Sequence, residues 1–347
     1  MANITMDVFR QDAFSAQNLT AGIDKEGYVP TMLGSIPGLF VPPPLGQPSQ
    51  KWIFVEERNS EPAIIHTSPR GSEPTPGRTD EPSRKARAFQ VPRLARSRRI
   101  EATEIAGIRA FNSLTEMQTL EMMVQRFQYL IQRDMSLTWE NMRLGAVQGA
   151  TLDADGSTIY DWSAEFQQSL PGEVTWTLSP STDDGSIRTQ CSVTRRAILR
   201  ALKGLGGTGV TIWGLASDSW WDAFMATAEV RHTWQYAMQA TRLQENAAWQ
   251  QFDYGGITFV NYRGTDDVST VAVPDKKVKF FPAGAGIFQE VYAPADERFE
   301  FVNTPGQQAY SWIVLDEKRN SWADVEMNSY PLFMCTMPQA LQHGKIL

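Results

Sequence analysis

Residues 46–99 constrain the fold more than any other part of the chain, because they read as an arm that cannot fold alone. Two short strand patterns, residues 51–57 and 63–67, flank a polar tip, Arg58-Asn59-Ser60. From 68 to 82 the chain carries Pro69, Gly71, Pro74, Pro76, Gly77 and Pro82 and almost no apolar side chain. An arginine-laden return follows over 84–99. A lone two-stranded ribbon is marginally stable in water. A polar, proline-rich stretch of this length needs either disorder or a neighbouring surface. The pattern predicts an assembly subunit whose arm is ordered by other copies of itself.

Composition divides the chain in the same way. Twelve of the 20 prolines stand at or before Pro92, whereas of 11 tryptophans Trp52 alone precedes Trp139. The first quarter is therefore extended and poor in core residues, and the remainder of the 347 residues is globular, with room for roughly two domains. Residues 32–45 hold five large apolar side chains beside the stiff Pro42-Pro43-Pro44, which predicts a strap docked on another surface. Net charge −7 argues against a wholly basic nucleic-acid-binding surface. Cys191 and Cys335 lie far apart without metal spacing and read as small buried hydrophobes. The first residues lack a charged and an apolar signal region, and nothing approaches the run of about 18 apolar residues that spans a membrane.

The clearest element is a long helix over about 114–148. Ser113 and Glu116 suit a capping box, Leu120, Met123, Val124, Phe127, Leu130 and Ile131 recur at helical spacing, and Gly149 suits a stop. Residues 150–161 read as a hairpin turning at Asp155-Gly156. Beyond it the pattern predicts helices over 192–203 and 217–228 and a polar helical stretch through Trp234 and Trp249. Strands are predicted over 210–215, 256–262, 277–281, 311–315 and 323–335, the last broken at Pro331.

No motif carries a reaction. Gly204, Gly206, Gly207 and Gly209 resemble a dinucleotide loop, but they follow a helix and lead into a strand, the reverse of the order that aims a helix N-terminus at a pyrophosphate. A helix stop and hinge is the better reading. Asp153-Ala154-Asp155-Gly156 fails as a calcium loop. His66, His232 and His343 stand at no ligand spacing, Ser217 reads as a helix cap, and Asp183-Asp184 and Asp266-Asp267 read as solvated loop acids. No cofactor or metal is implied, and the chain reads as non-enzymatic.

The basic return admits two readings. Arg84, Lys85, Arg87, Arg93, Arg96, Arg98 and Arg99 fall within 16 residues free of acid. They could grip phosphates, making the chain a nucleic-acid-binding protein. They could instead pair with acidic surfaces of a neighbouring subunit, which fits their place in the arm and the thin aromatic interleaving, Phe89 alone. Trp52, Phe54 and Arg70 join them as candidate intersubunit contacts.

The order of these parts resembles the tailed-phage major capsid proteins of the HK97-like fold, the lambda major capsid protein E family above all. The carriers are Ser35-Ile36-Pro37-Gly38-Leu39 before the ribbon, the tip around Thr75-Pro76-Gly77, the return ending Arg96-Ser97-Arg98-Arg99-Ile100, the long helix with its hairpin, and 327–334 near the end. The resemblance implies an α+β fold. Its parts are an N-terminal arm (1–48), an extended β-hairpin loop (49–99), a peripheral domain with the spine helix (100–205), an axial domain (206–299) and a return to the peripheral domain (300–347). It implies hexamers and pentamers of an icosahedral shell enclosing double-stranded DNA, touched without sequence preference. It also implies a separate scaffolding protein, a portal, possible decoration proteins and assembly in the host cytoplasm.

Overall fold

The computed structural model describes residues 32–44, 46–58, 84–102, 116–205, 207, 209–233, 251–262, 271–319 and 321–346. Arg70, residues 63–67, Ser113, Gly206, His66, Asp266-Asp267 and the stretch 234–250 lie outside them.

The chain enters through a one-turn helix α1 (Met32–Ser35) and a short strand β1 (Phe40–Val41). Met32, Leu33, Ile36 and Leu39 are buried, so the strap is docked, as the apolar spacing predicts. A ribbon follows, β2 (Trp52–Arg58) with β3 (Arg84–Gln90), and then β4 (Leu94–Glu101). Among the described residues β2 pairs with β3, in antiparallel register from Trp52 opposite Gln90 to Arg58 opposite Arg84, and the expected strand over 63–67 lies outside them.

The long helix α2 (Glu116–Gln148) runs 33 residues, about 50 Å at 1.5 Å per residue. Gly149 stops it at φ 98°, and Leu170 packs where a Cβ would stand. The hairpin β5 (Ala150–Leu152) and β6 (Thr158–Asp161) follows, with Gly156 left-handed in the turn. Next come α3 (Trp162–Glu165), β7 (Val174–Thr175) and α4 (Ser186–Ala201). Helix α4 starts six residues before its expected start. Gly185 takes a left-handed conformation, Asp184 accepts from the Ser186 N–H, and buried Ile187 extends the apolar stripe through Cys191 and Ile198. Ser186, Ile187 and Thr189 of this first turn have weaker helix propensity, which leaves it indistinct in the sequence.

Beyond α4 come β8 (Thr211–Ala216), α5 (Asp218–Ala226), β9 (Gln251–Tyr254), β10 (Ile257–Asn261), β11 (Lys277–Ala283) and β12 (Phe288–Tyr292). The chain closes with β13 (Tyr310–Leu315), β14 (Trp322–Ser329), β15 (Pro331–Cys335) and β16 (Gln342–Lys345). A six-stranded mixed sheet has the order β7-β16-β11-β8-β10-β9. Two three-stranded sheets, β1-β12-β15 and β13-β14-β4, stand beside α2.

The sheets cross the expected sequence boundaries. Strand β12, within 206–299, pairs with β15 and β1, and β16, within 300–347, pairs with β11 in the larger sheet. The larger sheet is filled by rings: Trp176 stacks on Phe280, Trp220 on Phe224, and Phe224 lies 4.5 Å from Phe259. Full burial of one such side chain contributes about 1.5–3 kcal/mol. Packing of this kind, more than helix propensity, stabilises the nine-residue α5.

Candidate intersubunit surface

Alternation along β2 sorts the ribbon into two faces. Ile53 and its cross-strand partner Phe89 point to the body and are buried, Phe89 at 2% exposure. Phe89 packs edge-on against Tyr160 and Trp162 and tilts against Phe166. Arg87, on the same face, lies 5.6 Å over the Phe166 ring. The Tyr160 hydroxyl donates to the Gln90 carbonyl at 2.8 Å and accepts from its N–H at 3.1 Å. The base of the ribbon is thus pinned to the β5–β6 hairpin. The other face carries Trp52 and Phe54, both exposed, Phe54 at 62%. A pinned ribbon that turns two aromatic rings to solvent is a ready contact surface.

The cations of the return do not form one basic strip. Arg99 makes a two-pronged ion pair with Asp324, 2.9 Å on each arm, and lies 4.0 Å over the Trp322 ring. The Asp324 carboxylate beside it holds the Arg99 guanidinium above its ordinary pKa. Arg96 pairs with Asp134 of α2 at 3.2 Å and Arg93 with Glu297 at 3.3 Å. Arg98 is half-buried opposite Val325 in the β4–β14 ladder. Arg84 and Lys85 close the described end of β3. Carboxylates of this same chain therefore hold three of the expected intersubunit cations in place, which aligns β4 on the body. Nothing in these contacts favours the nucleic-acid reading of the segment.

At the glycine cluster, Lys203 and Gly204 both take left-handed φ, 48° and 88°, and Gly207 takes 55°. The Gly209 carbonyl lies 2.8 Å from the position a Cβ on Gly284 would occupy. Ser217 stands at the N-cap of α5 as expected, its carbonyl accepting from the Trp221 N–H, but its hydroxyl accepts from the Lys277 N–H at 3.2 Å and makes no side-chain cap bond. Among the described residues no cluster of three His, Cys, Asp or Glu could hold a metal, and no helix is long and apolar enough to cross a membrane.

A buried ionic cluster ties the strap to the spine, and the sequence reading missed it. Glu140, 3% exposed, accepts from the Leu33 N–H at 2.9 Å and from the Tyr262 hydroxyl at 3.3 Å. Arg143 stands 3.8 Å from Glu140, donates to Glu290 at 3.2 Å and lies 4.8 Å over the Phe333 ring. Tyr292 donates to the same Glu290 carboxylate. Burial raises the Glu140 pKa, against the lowering pull of the Leu33 N–H and Arg143. The available signal was positional: 140 and 143 share a stripe with 136 and 147, next to the apolar stripe Met135, Trp139, Met142 and Ala146. Charges there must be buried and paired.

The docked strap, spine helix, pinned ribbon and two kinds of sheet together set the fold, and the family follows from sequence similarity. The family model described as phage major capsid protein E matches residues 15–346, and the chain belongs to that family. The major capsid protein of Pseudomonas phage KPP10 is 25% identical over 320 residues, covering 86% of this chain and 88% of that one. The bacteriophage PhiM1 mature capsid subunit shares 9% identity at TM-score 0.51 over 93% of this chain and 89% of its own. The cyanophage A-1(L) capsid subunit shares 11% at TM-score 0.50 over 92% and 94%. At these identities the two structures speak for the fold, which is HK97-like and α+β. The chain is a phage major capsid protein, and its role is to build the head.

Proposed function

We propose that copies of this chain assemble into hexamers and pentamers of a closed icosahedral shell around double-stranded DNA, each copy laying its 49–99 loop over a neighbour. The carrying observation is the divided ribbon. One face is locked through Phe89 and Tyr160, while Trp52 and Phe54 on the other are exposed. Burying two such rings on a neighbour supplies several kcal/mol per contact at about 25 cal/mol per Å².

The left-handed residues around Leu205 support a hinge at Gly204–Gly209 between the peripheral and axial parts. A separate scaffolding protein, a portal and decoration proteins complete the proposed assembly, which takes place in the host cytoplasm. The substructure is non-enzymatic in this reading.

The loop can be tested without disturbing its base. Arg58 and Arg84 face each other across the ribbon, so residues 59–83 can be replaced by a two-residue Asn-Gly turn. The expected product is a soluble subunit that forms no closed shells by electron microscopy. Normal particles from this variant overturn the proposal.

A further inference from the structure

Two exposed patches on the described surface are unlike the rest, and they complement each other. Helix α4 lies in a stretch, 185–217, that contains no acid, within a chain of net charge −7. It buries Ile187, Cys191 and Ile198. Its outer face exposes Arg195, Arg196 and Arg200, and among the described residues none of them has an ion pair. Val193, 54% exposed, stands one turn before Arg196, and exposed Leu199 one turn after Arg195 and Arg196.

The second patch is the 3-10 turn Phe299–Phe301. Phe301 anchors it from inside, 4.8 Å from Tyr310, and Arg298 is laid over Trp312 at 4.1 Å. Phe299 projects fully into solvent between exposed Asp296 and Glu300. An anchored turn that presents a bare ring between two carboxylates fits a surface that is cationic and partly aliphatic.

We infer that the Val193–Leu199 face of α4 receives the Phe299 turn of a second copy of this chain. The inference rests on the shell-forming reading and adds a specific contact to it. The two patches are different surfaces of one subunit: α4 packs on β16 of the larger sheet, and the Phe299 turn leads into β13. Contact between unlike patches is head-to-tail, and each copy then offers one free donor and one free acceptor. That geometry propagates around rings and across arrays, as a shell requires. A Phe side chain supplies about 150–250 Å², below the roughly 1,000 Å² of a stable interface. The turn is therefore one contact inside a larger interface, and the charges fix its register. Nucleic acid is the less suitable occupant of α4: phosphates would match the arginines but leave Val193 and Leu199 without a role.

The test uses full-length chain and a short bis-maleimide on assembled shells. The native thiols of Cys191 and Cys335 are buried and pushed up to about 12, so they give little background. Shells mixed from Val193→Cys and Phe299→Cys subunits should give cross-linked dimers at least tenfold above shells of either variant alone. Mixed shells without that excess overturn the inference. Charge exchange is a second, independent arm. Arg195→Glu with Arg196→Glu should cut shell yield at least tenfold, as should Asp296→Arg with Glu300→Arg, and the four together should restore it. Wild-type yield from either pair overturns the contact, and so does a normal yield of α4-reversed shells that have lost their DNA. Wild-type chain that never assembles refutes the shell-forming reading itself, and the inference with it.

Discussion

The hydroxyl of Tyr160 closes both backbone hydrogen-bonding groups of Gln90, donating to its carbonyl at 2.8 Å and accepting from its N–H at 3.1 Å. One side chain of the β5–β6 hairpin thereby ends the free travel of the ribbon at the last residue of β3. Tyr160→Phe keeps the ring against Phe89 and Trp162 and removes this clamp. The expected cost is about 1 kcal/mol in denaturant unfolding, with faster amide exchange at the 84–90 strand than in the wild type. Unchanged exchange there would show that Phe89 packing suffices.

Phe89 and Phe54 should separate stability from assembly. Phe89→Ala opens a cavity among Tyr160, Trp162 and Phe166, and should cost about 3–5 kcal/mol in urea unfolding of the unassembled subunit. Phe54→Ala alters an exposed side chain and should stay within about 0.5 kcal/mol in the same measurement, yet lower shell yield. Equal stability losses from the two would contradict the two-faced ribbon.

The Glu140 cluster predicts a pH dependence of known sign. The Glu140 pKa is raised in the folded state, so the fold binds this proton more readily than the unfolded chain. Its contribution therefore falls as pH rises from the ordinary carboxylate value through the raised folded value. Glu140→Gln should flatten that part of the stability profile. Arg143→Met leaves buried Glu140 and half-buried Glu290 without their shared cation and should cost about 3–5 kcal/mol by chemical unfolding.

His343 gives a slope of the opposite sense. It faces Lys279 across the β11–β16 ladder, and the Lys279 ammonium donates to its Nδ1. Burial first, and the Lys279 charge second, push the His343 pKa down to about 4 from 6.5. The unfolded chain then binds the extra proton between those values, so stability is lost as pH falls from 6.5 to about 4. His343→Gln should remove that loss in thermal melts across the window. The paired Lys279, lowered to about 8 by burial, adds stability as pH rises from 8 towards its ordinary 10.5.

The arm shows how far local pattern reaches. Its strand over 51–57 was legible from alternation, but its partner was not. The observed partner, β3, brings Phe89 onto Trp162 and Phe166, residues far along the chain that no local pattern links to the ribbon. The arginine return was legible as a cluster. Its pairing with Asp324, Asp134 and Glu297, from 38 to over 200 residues away, was not. Strands β12 and β16 escaped notice because each is short, and β16 (Gln342-His343-Gly344-Lys345) is polar in composition. It is a strand because β11 and Trp176 cover it: a Cβ on Gly344 would stand 2.8 Å from the Trp176 indole nitrogen.

Periodicity and turn residues by themselves determined the spine helix, the hairpin behind it and the order of parts that carries the family resemblance. These follow from forces acting over a few residues, which the chain displays directly. Tertiary structure alone decided which strand closes the ribbon, which sheet receives each late strand, which arginines are held by this subunit's own acids, and that Glu140 and Arg143 are buried together. Those outcomes depend on contacts between residues far apart in sequence, where burial and pairing outweigh any local preference.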